Sequence, residues 1–355
     1  MTTTRERASD TALAMIEDRD SGPAVAKRAT GPNRSSALLG LAERYALVAF
    51  LGVLLIVFAV LPSTSDTFLT AANLRNVAAN ESVIAVAALA AMVPLLAGQF
   101  DVSIGAILGM AQITVASAMA HGVPLTGALA CALACALVVG AVNGWLVAYL
   151  GVNSFIITLA TATLLAGLVS LYTHDQVILQ GVSQHLVDFG SGNLLGVPKV
   201  TWLVALVALL VAYGITWTVQ GRRLLSVGSN VRAARLVGMP VNRIILASFV
   251  VAALLAGIAG VLQVARTGTG NPQIGNAYTL SALSAAFLGA STIRPGRFNV
   301  VGTLVGVAFV AFSVNGLTLA GAADWVDPVF TGTALAVAVT LSTVLGRRRG
   351  AQRII

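Results

Sequence analysis

The chain has 355 residues, of which 57% are hydrophobic and 10% charged, with a formal net charge of +8 and a mean hydropathy of +0.90. A soluble fold of this length has more surface than so few charges cover, which argues against a soluble enzyme, a nucleic-acid binder and a disordered chain. What is left is an all-α, polytopic membrane helix bundle.

The first 40 residues are polar, small and of mixed charge and read as a disordered cytoplasmic tail. They are not a secretory signal, because the first apolar run starts too late and no small-residue cleavage site follows a short apolar core. A membrane-spanning helix needs about 20 mainly apolar residues. Such runs fall at 45–61, 77–97, 104–120, 125–150, 154–171, 200–220, 244–265, 280–292, 298–320 and 326–345, about ten spans. The eighth is short enough to be tilted, broken or re-entrant. The expected organisation is a tail over 1–40, a transmembrane domain over 41–346 with a basic interior loop at 221–243, and a basic tail over 347–355.

Charge placement sets the sidedness. With the N-terminus inside and every span crossing, eighteen of the 21 Lys and Arg residues lie in the cytoplasm. Only Arg75, Lys199 and Arg266 lie outside, a strong positive-inside pattern with both termini cytoplasmic. The positive charge is therefore topogenic, and no nucleic-acid partner is expected. The longest exterior segment, 172–199, carries His174, Asp175, Gln176, Gln184, His185 and Asp188 and reads as a water-exposed loop.

Catalytic motifs are missing. There is no GxxxxGK[ST], HExxH, CxxC or GxSxG, and His121, His174 and His185 lack metal-ligand spacing. No catalytic residue, metal or cofactor is expected. Cys131 and Cys135, one turn apart, read as small packing residues. Glu81 reads as an outer-interface residue, Asp101 with Ser103 as an N-cap or gate at the break AGQFDVSIG, and His121 as an exterior turn residue. The uncharged groups Gln112, Asn143, Thr158, Thr161, Thr163, Gln263 and Asn315 read singly as helix–helix hydrogen-bonding groups. As a set they suit a neutral, hydroxyl-rich solute better than an ion. Three Gly-xxx-Gly pairs (105/109, 140/144, 302/306) allow close helix approach. Asn143-Gly144 and Asn315-Gly316 hint at two weakly related halves, near 77–171 and 244–345.

The motifs together resemble the ribose-type permease family, the membrane subunits of bacterial monosaccharide ATP-binding cassette (ABC) importers. The segment GRRLLSVGSNVRAARLVGMPVNRI is similar to that family's cytoplasmic loop through Gly221, Arg222, Gly228, Asn230, Ala233, Ala234, Gly238 and Val241. The break resembles the family's through Gly98, Asp101, Ser103 and Gly105. AVNGWLVAYLGVNSFIITLATATLLAGL, LGASTIRPGRFNVVGTLVG and SVNGLTLAG extend the likeness over roughly 45–345. Gln99, Ala290, Arg232 and Ile293-Arg294-Pro295 depart from the family pattern.

The resemblance implies an ABC permease fold with three kinds of partner: ATP-binding cassette ATPase subunits, an extracytoplasmic solute-binding protein, and a second permease, identical or paralogous. It places the chain in the bacterial plasma membrane and implies a coupling helix, expected at Ala233–Gly238 with Asn230 as N-cap. Coupling would use Asn230, Ala233, Ala234, Arg235 and Gly238; the substrate pathway would use Asn143, Phe155, Thr158 and Asn315. Two alternatives remain. One is a permease for branched-chain amino acids or nucleosides. The other is a stand-alone ion-coupled carrier, for which Glu81 and Asp101 are the candidate ion-binding groups.

Overall fold

A computed structural model describes residues 34–352, and the side chains of residues 44–340 except 276. The chain divides between Leu41 and Ala42, and the bundle lies in the unit that begins at Ala42. The helices are α1 (Arg34–Val60), α2 (Ala71–Leu96), α3 (Ile104–Ala120), α4 (Leu125–Tyr149) and α5 (Ser154–Thr173). A short α6 (Gln184–Ser191) and a two-residue antiparallel ladder, β1 (Asn193–Leu194) with β2 (Val197–Pro198), follow. Then come α7 (Lys199–Trp217), α8 (Val219–Ser229), α9 (Val231–Leu236), α10 (Val241–Thr267), α11 (Gly275–Ala290), α12 (Val300–Leu319) and α13 (Val326–Gln352).

All ten apolar runs are helices. Six of them (α2, α4, α5, α7, α10 and α12) are long and apolar enough to cross a membrane. The apolar stretches Arg44–Val60, Ile104–Ala120, Ala277–Ala290 and Val326–Thr340 are shorter. The short eighth run is thus α11, and α3 shares its brevity.

Some boundaries differ from the sequence expectation. α1 begins at Arg34, inside the expected tail, and α13 runs on to Gln352, through most of the expected C-terminal tail. Both extensions lack proline apart from Pro32 upstream and contain good helix formers. The expected tail over 1–33, and residues 353–355, lie outside the described residues. The segment expected as an exterior loop holds α6 and the ladder, and the interior loop is two helices.

Burial sorts the bundle. In α2 83% of the most apolar window is buried, against 22% in each of α4, α5 and α7. The alanine-rich run Ala85–Ala91 explains this: side chains this small let neighbours close on every face of α2. α10 packs beside it and against α4. Ala128, Ala132, Ala136 and Gly140 form one buried stripe of α4, and a Cβ on Gly140 would lie 2.4 Å from Ala253 Cβ on α10. The Gly105/Gly109 pair meets Gly275 of α11, and Gly302/Gly306 meets Gly289 and Ala285 of the same helix. The three small-residue pairs thus sit at helix crossings, where they allow close approach. Cys131 and Cys135 are a correction: both are exposed, at the edge of that stripe, rather than packed.

Candidate functional site

The chain breaks between α2 and α3 because Pro94 lacks an N–H and Gly98 takes a left-handed conformation, φ 74°. In a bilayer, non-helical backbone persists only where protein satisfies it. Here side chains from two other helices do so. The Phe100 N–H donates to Ser154 Oγ (3.1 Å), the Val102 N–H to Thr158 Oγ1 (3.1 Å) and the Gly105 N–H to Thr279 Oγ1 (3.1 Å). Asp101 Oδ1 accepts from the Ser103 N–H (2.9 Å) and the Ser103 hydroxyl (2.6 Å).

This corrects the expected capping role. Asp101 is buried and bonds Ser103; Ser103 is the N-cap residue of α3, and its side chain makes no capping bond. Asp101 stands two residues before the N-cap position, so its carboxylate closes a turn on Ser103 instead of reaching the free N–H groups of the helix. The relay continues: Asn143 Nδ2 donates to Ser103 Oγ (3.1 Å), and Thr161 Oγ1 donates to Asn143 Oδ1 (2.6 Å). One fully buried amide therefore joins α3, α4 and α5. Phe100 stacks on Phe287 of α11 (5.8 Å) and meets Phe155 of α5 edge-on (6.2 Å).

Of the expected pathway residues, Asn143, Phe155 and Thr158 thus gather around the break. Asn143 and Thr158 are buried, and Phe155 is half-exposed. Asn315 lies elsewhere. Its amide pairs reciprocally with that of Asn73 at the start of α2 (2.8 and 3.1 Å). Asn143 and Asn315 both lie late in their helices but hold different partners. The other membrane-depth amides are also bonded: Gln112 Nε2 donates to the Asn271 carbonyl (2.5 Å), and Gln263 Oε1 accepts from the Tyr278 hydroxyl (2.8 Å). Thr163 bonds back to the Leu159 carbonyl, and exposed His121 ends α3 with Nδ1 on the Ser117 carbonyl.

The α8–α9 unit seats on the same break. Gly228 packs on the end of α2 so closely that a Cβ there would lie 1.9 Å from the Leu96 carbonyl oxygen. α9 follows with both ends capped. Asn230 Oδ1 accepts from the Ala233 N–H (3.0 Å). Gly238, φ 74°, closes the far end as the Gly238 N–H bonds the Arg235 carbonyl and the Met239 N–H bonds the Ala234 carbonyl. The helix starts two residues before the expected Ala233. Ala234 faces inward, buried among Val227, Val241, Ile244 and Phe249. Arg232, Ala233, Arg235, Leu236 and Val237 face outward, with Leu236 88% and Val237 71% exposed.

A third polar feature is an open cavity between α2, α11, α12 and α13, lined by Glu81, Ser281, Asp327 and Thr331 among apolar side chains. Glu81 stands ten residues into α2 because that helix starts six residues earlier than expected. Among the described residues no three His, Cys, Asp or Glu side chains are grouped to hold a metal.

Sequence reading missed Ser154, Thr279 and Gly228 as holders of the break. Gly228 had a signal in the resemblance, whereas the two hydroxyls are brought in only by folding.

The family model described as "Branched-chain amino acid transport system / permease component" matches residues 73–339. The chain is 33% identical over 303 residues to the ribose import permease protein RbsC of Escherichia coli strain K12, covering 84% of this chain and 93% of that one. It is 33% identical over 298 residues to RbsC of Bacillus subtilis strain 168 (82% and 91%). It is 28% identical over 302 residues to the L-arabinose ABC transporter permease protein AraH of Azospirillum brasilense (85% and 89%). No solved structure matches the chain. With a bundle of this kind and matches over most of its length, the chain belongs to the permease family of ABC importers, in the branch of the monosaccharide permeases.

Proposed function

We propose that this multi-pass membrane protein passes a monosaccharide into the cytoplasm, driven by ATP that a separate ATPase subunit hydrolyses. The observation that carries the coupling half of this reading is α9. A six-residue helix, capped at both ends, turns Leu236 and Val237 outward instead of burying them. Two exposed apolar side chains preceded by the exposed Arg232 and Arg235 suit a cleft on an ATPase. Gly228 then carries any displacement of α9 to the end of α2 and the break. In this reading Asn230 and Gly238 define the lever, Ala234 anchors it, and Ala233 and Arg235 meet the ATPase.

The solute half rests on the named relatives and on the chemistry of the bundle. Asn143 and Thr158 shape the pathway by fixing the break, Phe155 lines it, Asp101 and Ser103 form its turn, and Asn315 ties α12 to α2. Both termini face the cytoplasm, as the charge distribution favours. The domain limits are a cytoplasmic tail ending near residue 40, the permease body, and a basic end from 347. The partners are two ATPase subunits, a solute-binding protein outside and a second permease.

The test is uptake into proteoliposomes holding the chain, its ATPase and its binding protein. Labelled ribose should enter only with ATP inside, and unlabelled pentoses or hexoses should compete. Competition by leucine, but by no sugar, would overturn the solute assignment.

A further inference from the structure

We propose that the end of α7 and the first turn of α8 bind the headgroup of an anionic phospholipid through Tyr213, Trp217, Arg222 and Arg223. The proposal rests on the inward placement of 221–243 argued above. α7 exposes Trp202, Leu206, Leu209, Tyr213 and Trp217. Spacings of three and four place them on one helix face. An uncovered apolar face of a spanning helix meets lipid, and Trp and Tyr at its ends mark headgroup level. Trp202 and Trp217 are roughly 22 Å apart along the axis at 1.5 Å per residue, so each ring reaches one interface.

The chain turns at that inner interface. Thr218 is extended (φ −89°, ψ 158°), and its hydroxyl accepts from the Gly221 N–H (3.1 Å) to start α8. A Cβ on Gly221 would lie 2.2 Å from the Ile215 carbonyl oxygen, so α8 is folded hard against the last turn of α7. α8 then runs inward: Gly221 and Val227 are buried and Gly228 ends on α2. Arg222 is exposed and Arg223 half-buried, five and six residues past Trp217 in the chain. Arg222 Nη1 donates to the Trp217 carbonyl (3.3 Å), which holds the guanidinium beside that interface.

The charge is uncompensated. Segment 218–243 has five arginines and no acid. Neither Arg222 nor Arg223 meets a carboxylate among the described residues. Arg232 and Arg235 sit apart, on α9 beyond Gly228. A phosphodiester supplies the missing negative charge at the required depth, with its acyl chains along the α7 stripe. Such a lipid would pin the outer end of α8 while its inner end moves.

The test uses the permease–ATPase complex in nanodiscs, with Trp145, Trp202 and Trp325 replaced by Phe so that Trp217 is this chain's single tryptophan, and the same complex with Trp217→Phe as the background to subtract. Brominated phosphatidylglycerol should quench Trp217 more than brominated phosphatidylcholine at equal mole fraction. Arg222→Gln with Arg223→Gln should remove the preference, each arginine being worth about fivefold in local enrichment. Equal quenching by the two lipids, or preference kept by the double variant, overturns the site. Weak quenching by both means that a second permease covers the face, and overturns it too. Loss of ATPase capture by the double variant with quenching unchanged would make the patch a protein-docking surface.

Lipids retained by the complex without tryptophan substitution give a second reading. Phosphatidylglycerol held by the native complex and lost from the double variant supports the site; equal retention overturns it. Failure of the inward placement is recognised separately. Ser226→Cys, with Cys131 and Cys135 replaced by Ala, would then react with an impermeant maleimide added outside intact cells.

Discussion

Gly228→Ala is the most direct perturbation of the proposed coupling route. The added Cβ would lie 1.9 Å from the Leu96 carbonyl oxygen and 2.9 Å from its carbon, whereas ordinary contact begins near 3.4 Å. α8 must therefore withdraw from the end of α2 by roughly 1.5 Å, since the obstructing atoms are backbone and no side chain can rotate away. Overpacking of this kind costs about 1–3 kcal/mol. The lever and the break would lose their shared contact while α9, its caps and its outward face stay intact. If that contact carries a coupling free energy of about 1–3 kcal/mol, sugar moved per ATP falls about 5- to 150-fold. The assay is paired measurement of ATP hydrolysis and labelled-sugar uptake in proteoliposomes, with ATPase capture and thermal unfolding as controls. Capture should persist and Tm should drop by a few degrees. Normal uptake per ATP by a folded Gly228→Ala protein would refute the route.

Four further outcomes are expected. Asn143→Leu removes the amide between Ser103 and Thr161 and should lower stability by about 1–2 kcal/mol, read by thermal unfolding; an unchanged Tm would deny the relay its structural role. Asn73→Leu and Asn315→Leu should couple by about 0.5–1.5 kcal/mol in a double-mutant cycle, with strict additivity counting against the reciprocal amide pair. Thr158→Val leaves the Val102 N–H without its acceptor and should cost about 1–3 kcal/mol, whereas Thr158→Ser should restore most of it. Glu81→Gln should leave uptake ATP-dependent and insensitive to ionophores, and uptake that instead follows an ion gradient would revive the carrier alternative.

The sequence made the ten apolar helices legible because each is an apolar run bounded by polar or turn residues. α6 and the small ladder in 172–199 were not legible, being short and polar on the exposed side. α8 left a trace, with Gly221, Leu224, Val227 and Gly228 at helical spacing, but five arginines in the segment favoured reading a loop. α9 was legible from Asn230 and Gly238, whose capping chemistry is local. The break was visible at Asp101, yet its true partners were hidden. Ser154, Thr158 and Thr279 lie from about 50 to about 175 positions away in the chain, a distance at which only the fold brings hydroxyls to backbone. Cys131 and Cys135 were misread because nothing in a uniformly apolar helix tells the lipid face from the packed one.

Co-purification from mild detergent tests the central claim most directly, comparing the native chain with Leu236→Asp. The native chain should bring down a P-loop ATPase and a solute-binding protein. Leu236→Asp should lose the ATPase while keeping its fold and its place in the membrane. Recovery of a well-folded native chain alone, still moving solute without ATP, would contradict the account.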